Sequence, residues 1–169
     1  MAHDLFSFDS SVLLVRDIAG DYRPADADEV LQAAQRLLGQ QLQGREALSS
    51  PQVVRDFLRV KLGALEHEVF AVLMLDAQNR LIEYIELFRG TVSQASVYPR
   101  EVVKESLARN AAALVLVHNH PSGVAEPSRA DEHLTQTLKA ALALVDVRVL
   151  DHLIVAGNDV LSFAERGLL

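Results

Sequence analysis

The chain contains no cysteine. That excludes a disulfide framework and any metal site built on thiolates, and with it the zinc deaminases, which hold their metal with a cysteine pair. The absence fits a reducing cytoplasm, and a cytoplasmic protein is the expectation. An excess of positive charge is also missing: the net charge is −7 and the sequence pI is about 5.3. Proteins that grip duplex DNA unaided present a basic stripe to the phosphates. Here the basic residues alternate with acids, as in Arg100-Glu101 and Lys104-Glu105, which is the pattern of solvated faces. Direct DNA binding is therefore expected to be weak or absent. No apolar run approaches the roughly 20 residues that span a bilayer, so no membrane association is expected. Val12-Leu13-Leu14-Val15 is too short for a signal core and is flanked by Asp9 and Asp17 rather than by a basic lead-in. Internal repeats and low-complexity segments are absent as well.

What is present is an ordinary globular composition, half hydrophobic and 23% charged over 169 residues, enough for one domain with a sizeable core. Residues 1 to about 25 lack a firm period and read as an irregular arm, with one short strand at Val12–Val15. Asp26 is placed to cap a helix in which Val30, Leu31, Ala34, Leu37, Leu38 and Leu42 recur at helical spacing. Gly44 and Ser49-Ser50-Pro51 punctuate its end. Pro51 suits the first turn of a second helix, with Val54, Phe57, Leu58 and Leu62 on one side.

The core proper begins near Glu66. Glu68–Leu75 reads as a buried strand and Leu81–Phe88 as its antiparallel partner, joined by Asp76-Ala77-Gln78-Asn79-Arg80, which has hairpin-loop chemistry. Gly90 and Thr91 break the pair. Pro99 opens a helix that turns Val102, Val103 and Leu107 inward. It feeds the apolar run Ala111–Val117, a fully buried strand by length and composition. A helix follows with Leu134, Leu138, Ala141, Leu142 and Val145 on its apolar face. Then come a strand over Val147–Val155, a turn at Gly157-Asn158-Asp159 and a short returning strand over Val160–Phe163. The predicted architecture is one α/β domain over residues 50–169, a mixed sheet packed between helices. An N-terminal arm and helix over residues 1–49 precede it.

The chemistry concentrates where the buried strand Ala111–Val117 ends, at His118-Asn119-His120-Pro121-Ser122-Gly123. Pro121 and Gly123 stop the ladder. His118 and His120 are two residues apart, so in an extended chain both imidazoles leave the same face and can converge on one metal ion. Asp131 lies three residues before Leu134 and seven before Leu138, over the apolar stripe of the next helix. An inward carboxylate is costly unless it is paired or bound to a metal. Two histidines and a carboxylate make a three-ligand site, which on zinc leaves a fourth position for water and so marks a catalytic site. The competing reading is a helix-capping box, since Ser128 and Asp131 spell S-x-x-D. Capping does not explain why Asp131 overlies apolar residues, nor why the histidines share a face.

His118-x-His120, seven residues, Ser128, two residues and Asp131 together resemble the JAMM metal motif of MPN-type metalloproteases. The flanking His118-Asn119-His120-Pro121-Ser122-Gly123, Asp151-His152-Leu153-Ile154-Val155, Arg89-Gly90-Thr91 and Tyr98-Pro99-Arg100-Glu101-Val102 resemble the bacterial RadC branch. The resemblance covers about residues 50 to 169. It implies an MPN-like fold, one zinc ion on His118, His120 and Asp131, and metal-assisted hydrolysis of a peptide or isopeptide bond in a peptide or protein substrate. It also implies a catalytic glutamate upstream of the motif, ahead of an apolar run. Glu68-Val69-Phe70-Ala71-Val72-Leu73-Met74-Leu75 fits, so Glu68 is the expected proton shuttle, although the residues alone equally describe a polar lead-in to a strand. Ser128 is expected to donate to the developing oxyanion, and a hydroxyl can do this while capping the helix.

Asn119 faces the other way and reads as structural. Asp151-His152 has an open role, and a histidine in a core strand is more often a satisfied buried imidazole than a ligand. His3, His67 and His133 have no partner pattern. The string His118-Asn119-His120 is not an HNH nuclease signature, whose named residues are not consecutive. Longer RadC-like chains carry a helix-hairpin-helix region, and no matching glycine-bearing hairpin is found here. The alternative function is a non-enzymatic DNA-repair or recombination accessory using the fold as a binding module, which the intact ligand set argues against. A metal-dependent nuclease or phosphoesterase is a third class, but such sites often use two metals and more carboxylates.

Overall fold

Two short strands, β1 (Leu14–Arg16) and β2 (Tyr22–Pro24), open this computed structural model, which describes residues 13–43, 51–90 and 97–169. They pair antiparallel with Leu14 opposite Pro24, and the Asp17 carboxylate accepts from the Asp21 amide to close the turn. The expected single strand at Val12–Val15 is thus shifted along the chain and has a partner; Val12 itself lies outside the described residues. Three-residue strands are too short to show a period, which is why β2 escapes a reading by alternation.

Helix α1 (Ala27–Leu42) starts at Asp26 with a capping box: the Asp26 carboxylate accepts from the Glu29 amide, and the Glu29 carboxylate accepts from the Asp26 amide. Its apolar spacing overstates its burial. Leu42 is buried, but Leu31 and Leu37 are exposed, because α1 packs along one side against α2 (Pro51–Leu62) and nothing described covers the rest. In α2 all four expected positions, Val54, Phe57, Leu58 and Leu62, are buried.

The sheet explains why two strands are apolar on both sides. Its five strands are β3 (Val69–Leu75), β4 (Leu81–Arg89), β5 (Ala113–Asn119), β6 (Arg148–Ala156) and β7 (Asp159–Ser162), in the order β4-β3-β5-β6-β7. Only β5 and β6 run parallel. Every residue of β3 and β5 is buried, as central strands sandwiched between helices require. One face, with Ala71, Leu73, Val115 and Val117, meets Val54, Phe57, Leu58 and Leu62 of α2. The other, with Phe70, Val72, Leu114 and Leu116, meets Val102 of α3 (Pro99–Ala108) and Leu138 and Leu142 of α4 (Arg129–Ala143). The β3–β4 link is tied by Asp76, whose carboxylate accepts from the amides of Gln78 and Arg80.

Beyond shifts of one residue at strand ends, the structure departs from the sequence reading in β5, α3 and β7. β5 begins at Ala113 and runs on to Asn119, so His118 belongs to the strand rather than following it. In α3 the inward row is Val102, Val103 and Ser106, and Leu107 is exposed; the buried Ser106 hydroxyl is satisfied by donating to the Val102 carbonyl. Phe163 is buried but opens a short helix, α5 (Phe163–Arg166), instead of closing β7, because Ser162 caps that turn by accepting from the Glu165 amide. Thr91 lies outside the described residues, as do Gly44, Ser49 and Ser50. Among the described residues no helix is long and apolar enough to cross a membrane.

Candidate metal centre

The β3–β5 register sets Phe70 opposite His118. The same alternation carries Glu68 to the neighbourhood of His120, two residues further along each strand. Asn119 turns to the other side and binds β3 by its side chain: Oδ1 accepts from the Val69 amide at 2.7 Å and Nδ2 donates to the His67 carbonyl at 3.0 Å. The carboxamide thereby continues the ladder beyond the last paired residues and holds the backbone on both sides of Glu68.

His118, His120 and Asp131 come together. The two Nε2 atoms are 2.9 Å apart; His118 Nε2 is 3.3 Å from Asp131 Oδ1, and His120 Nε2 is 3.6 Å from Asp131 Oδ2. These three residues form a group that could hold a metal ion. The donor set suits one: zinc bonds of about 2.0–2.1 Å in a tetrahedron put neighbouring donors about 3.3–3.4 Å apart. The tautomer of His120 suits it too. Its Nδ1 lies 2.7 Å from the Val124 carbonyl, which can only accept, so Nδ1 carries the proton and Nε2 turns a lone pair to the cluster. Val124 is brought back by the turn at Pro121-Ser122-Gly123, where Gly123 adopts φ +77°.

Helix α4 delivers Asp131 in its first turn. Ser128 Oγ accepts from the Asp131 amide at 3.1 Å, and Asp131 Oδ2 accepts from the Ser128 amide at 2.7 Å. The capping box is real, and it coexists with the cluster because the carboxylate serves both. Burial alone would raise the Asp131 carboxyl, but the adjacent imidazoles of His118 and His120, at 3.3 and 3.6 Å, hold it well below the usual carboxylate range. His120 is raised, chiefly by the Asp131 carboxylate 3.6 Å away against the opposing effect of burial, with the charge of Glu68 a smaller contribution. Ser128 is exposed, and no described acceptor takes its hydroxyl hydrogen. Glu68 is half-buried, whereas Glu66 and His133 are exposed and take no part. His67 lends only its backbone carbonyl, and His3 lies outside the described residues.

Sequence reasoning left one contact unassigned. His152 is fully buried with Nε2 2.8 Å from His118 Nδ1, and its Nδ1 is 2.6 Å from Thr135 Oγ1. Burial, and then the neighbouring His118, push its pKa well below the ordinary histidine range. The signal was faint: Thr135 sits four residues after Asp131 on α4, and His152 pairs with Leu116 across the parallel β5–β6 ladder, on the face that carries His118. Asp151 turns away, its carboxylate accepting from the Ser162 hydroxyl and the Ala164 amide, and ties β6 to β7 and α5.

Relatives share most of this chain. A protein of Leptothrix cholodnii designated UPF0758 is 65% identical over 150 residues, covering 89% of this chain and 68% of its own length. A UPF0758 protein of Methylibium petroleiphilum is 63% identical over 150 residues, with the same coverage of 89% and 68%. One from Nitrosomonas eutropha is 57% identical over 150 residues, covering 89% of this chain and 67% of its own length. The RadC-like JAB domain family model matches residues 48–168, the span that holds the whole sheet and the cluster, and the chain belongs to that family.

Proposed function

We propose that the protein is a zinc-dependent hydrolase of the JAMM type, cleaving a peptide or isopeptide bond, with His118, His120 and Asp131 as the zinc ligands. The observation that carries this reading is the gathering of two imidazole Nε2 atoms and one carboxylate at 2.9, 3.3 and 3.6 Å. Three such lone-pair donors repel one another without a cation among them. When bound, zinc lowers the pKa of water from about 15.7 towards 7 and polarises a substrate carbonyl.

The protein's own residues do the rest. Glu68, beside His120 on the adjacent strand, takes the proton from the attacking water and returns it to the leaving amine. The Ser128 hydroxyl, with its oxygen engaged by the Asp131 amide, directs its hydrogen to the oxyanion that develops on the carbonyl. His118 on strand β5 and Asp131 on helix α4 are held from behind, and His120 follows β5 directly with its ring tied to the Val124 carbonyl, so the ligands are preorganised.

The test pairs metal analysis of the purified protein with hydrolysis of a peptide library, with and without chelator. Zinc-containing protein with chelator-sensitive cleavage is the expected result. Cleavage that survives complete metal removal would overturn the reading.

A further inference from the structure

A fully buried imidazole must satisfy both ring nitrogens inside the protein. The ring of His152 packs against those of His118 and Phe163, tilted by 55° and 37° with centroids 4.8 and 4.7 Å away, so its partners are fixed. Proton bookkeeping along the chain of contacts has one solution. Thr135 Oγ1 lies 2.6 Å from the Asp131 carbonyl, which has no hydrogen to give, so the single hydroxyl hydrogen goes there. The same oxygen therefore meets His152 Nδ1 at 2.6 Å only as an acceptor, and that nitrogen carries the ring proton. His152 Nε2 is then a lone pair, and the partner at 2.8 Å, His118 Nδ1, must be the donor. His118 is left with its Nε2 unprotonated, facing His120 and Asp131.

We infer that His152, backed by Thr135, is a positioning residue that fixes His118 in the tautomer able to bind a metal ion. The inference rests on the hydrolase reading for what the metal does. The chain is closed on itself: it begins at the backbone carbonyl of Asp131 and ends at the imidazole whose Nε2 is 3.3 Å from the Asp131 carboxylate. Strand β5 and helix α4, which each supply ligands, are thus joined behind the site through β6. Without an acceptor at position 152, His118 is free to take the other tautomer. That tautomer would place a proton between the two Nε2 atoms, 2.9 Å apart, where the metal belongs. Outer partners of this kind are worth about 10–100-fold in metal affinity.

Two readouts on the full chain test this. Ring-nitrogen NMR of the purified protein should show His118 and His152 both protonated at Nδ1, and an Nε2-protonated His118 would overturn the inference whatever the metal does. Competition against a chromophoric zinc chelator should show Thr135→Val and His152→Leu binding zinc about 10–100-fold more weakly than wild type. Thr135→Ser, which keeps the hydroxyl, should restore the affinity. Thr135→Val is nearly isosteric, so it carries the test even if His152→Leu does not fold. Wild-type protein that takes up zinc while Thr135→Val matches it overturns this inference alone. Wild-type protein that takes up none overturns the hydrolase reading and this inference together.

Discussion

Asn119 holds Val69 by a side-chain hydrogen bond of 2.7 Å from the Val69 amide to Oδ1, and with its second bond to His67 it brackets Glu68. Asn119 is buried, so its removal leaves an amide and a carbonyl with no replacement partner from the protein. Asn119→Ala is expected to destabilise the fold by about 1–3 kcal/mol and to slow turnover while zinc is retained. Chemical denaturation and metal analysis of the same preparation check both parts. Unchanged stability would show that the bracket does not hold the strand.

Glu68 itself separates catalysis from folding. Glu68→Gln is nearly isosteric and should keep zinc and stability while losing about 10²–10⁴-fold in rate. Glu66→Gln should be neutral in all three, since Glu66 is exposed and its side chain is not expected to reach the metal-bound water. Asp131→Asn should lose metal and activity together. A dead Glu66→Gln beside a fully active Glu68→Gln would move the shuttle to Glu66 and contradict the assignment to Glu68.

Ser128 has two roles that different substitutions pull apart. Ser128→Ala removes the acceptor for the Asp131 amide and should cost about 0.5–2 kcal/mol of stability along with rate. Ser128→Asn, a good N-cap, should recover the stability without the rate, because its carboxamide does not present a hydroxyl to the oxyanion. Thermal melts with parallel kinetics decide it; full recovery of rate in Ser128→Asn would reduce Ser128 to a cap.

With a net charge of −7, the chain should bind duplex DNA weakly and without sequence preference at physiological salt. Titration of a labelled duplex measures this. A sub-micromolar affinity would favour the accessory-protein alternative over a hydrolase.

Much of the candidate site was legible because its signals are local. His118 and His120 share a face through the two-residue period of a strand, and Ser128 with Asp131 forms a capping unit within one helical turn. The central strands were legible because burial on both faces leaves an unbroken apolar run. Where periodicity failed, it named a face without knowing what covers it: Leu31 and Leu37 lie on the predicted stripe of α1 yet remain exposed, and so does Leu107 in α3. The contact of His152 with His118 and Thr135 was not legible for a different reason. It depends on the parallel register of β5 with β6 and on the seating of α4 over both, and neither is written in local spacing.

The most direct measurement of the central claim is zinc stoichiometry. Elemental analysis of the native protein, followed by zinc titration of the stripped protein, is to be run beside His118→Ala and Asp131→Ala. The account predicts about one tightly held zinc per chain in wild type, as a single three-ligand site requires, and loss of that zinc in both variants. A native protein that contains no metal and takes up none on titration would contradict it.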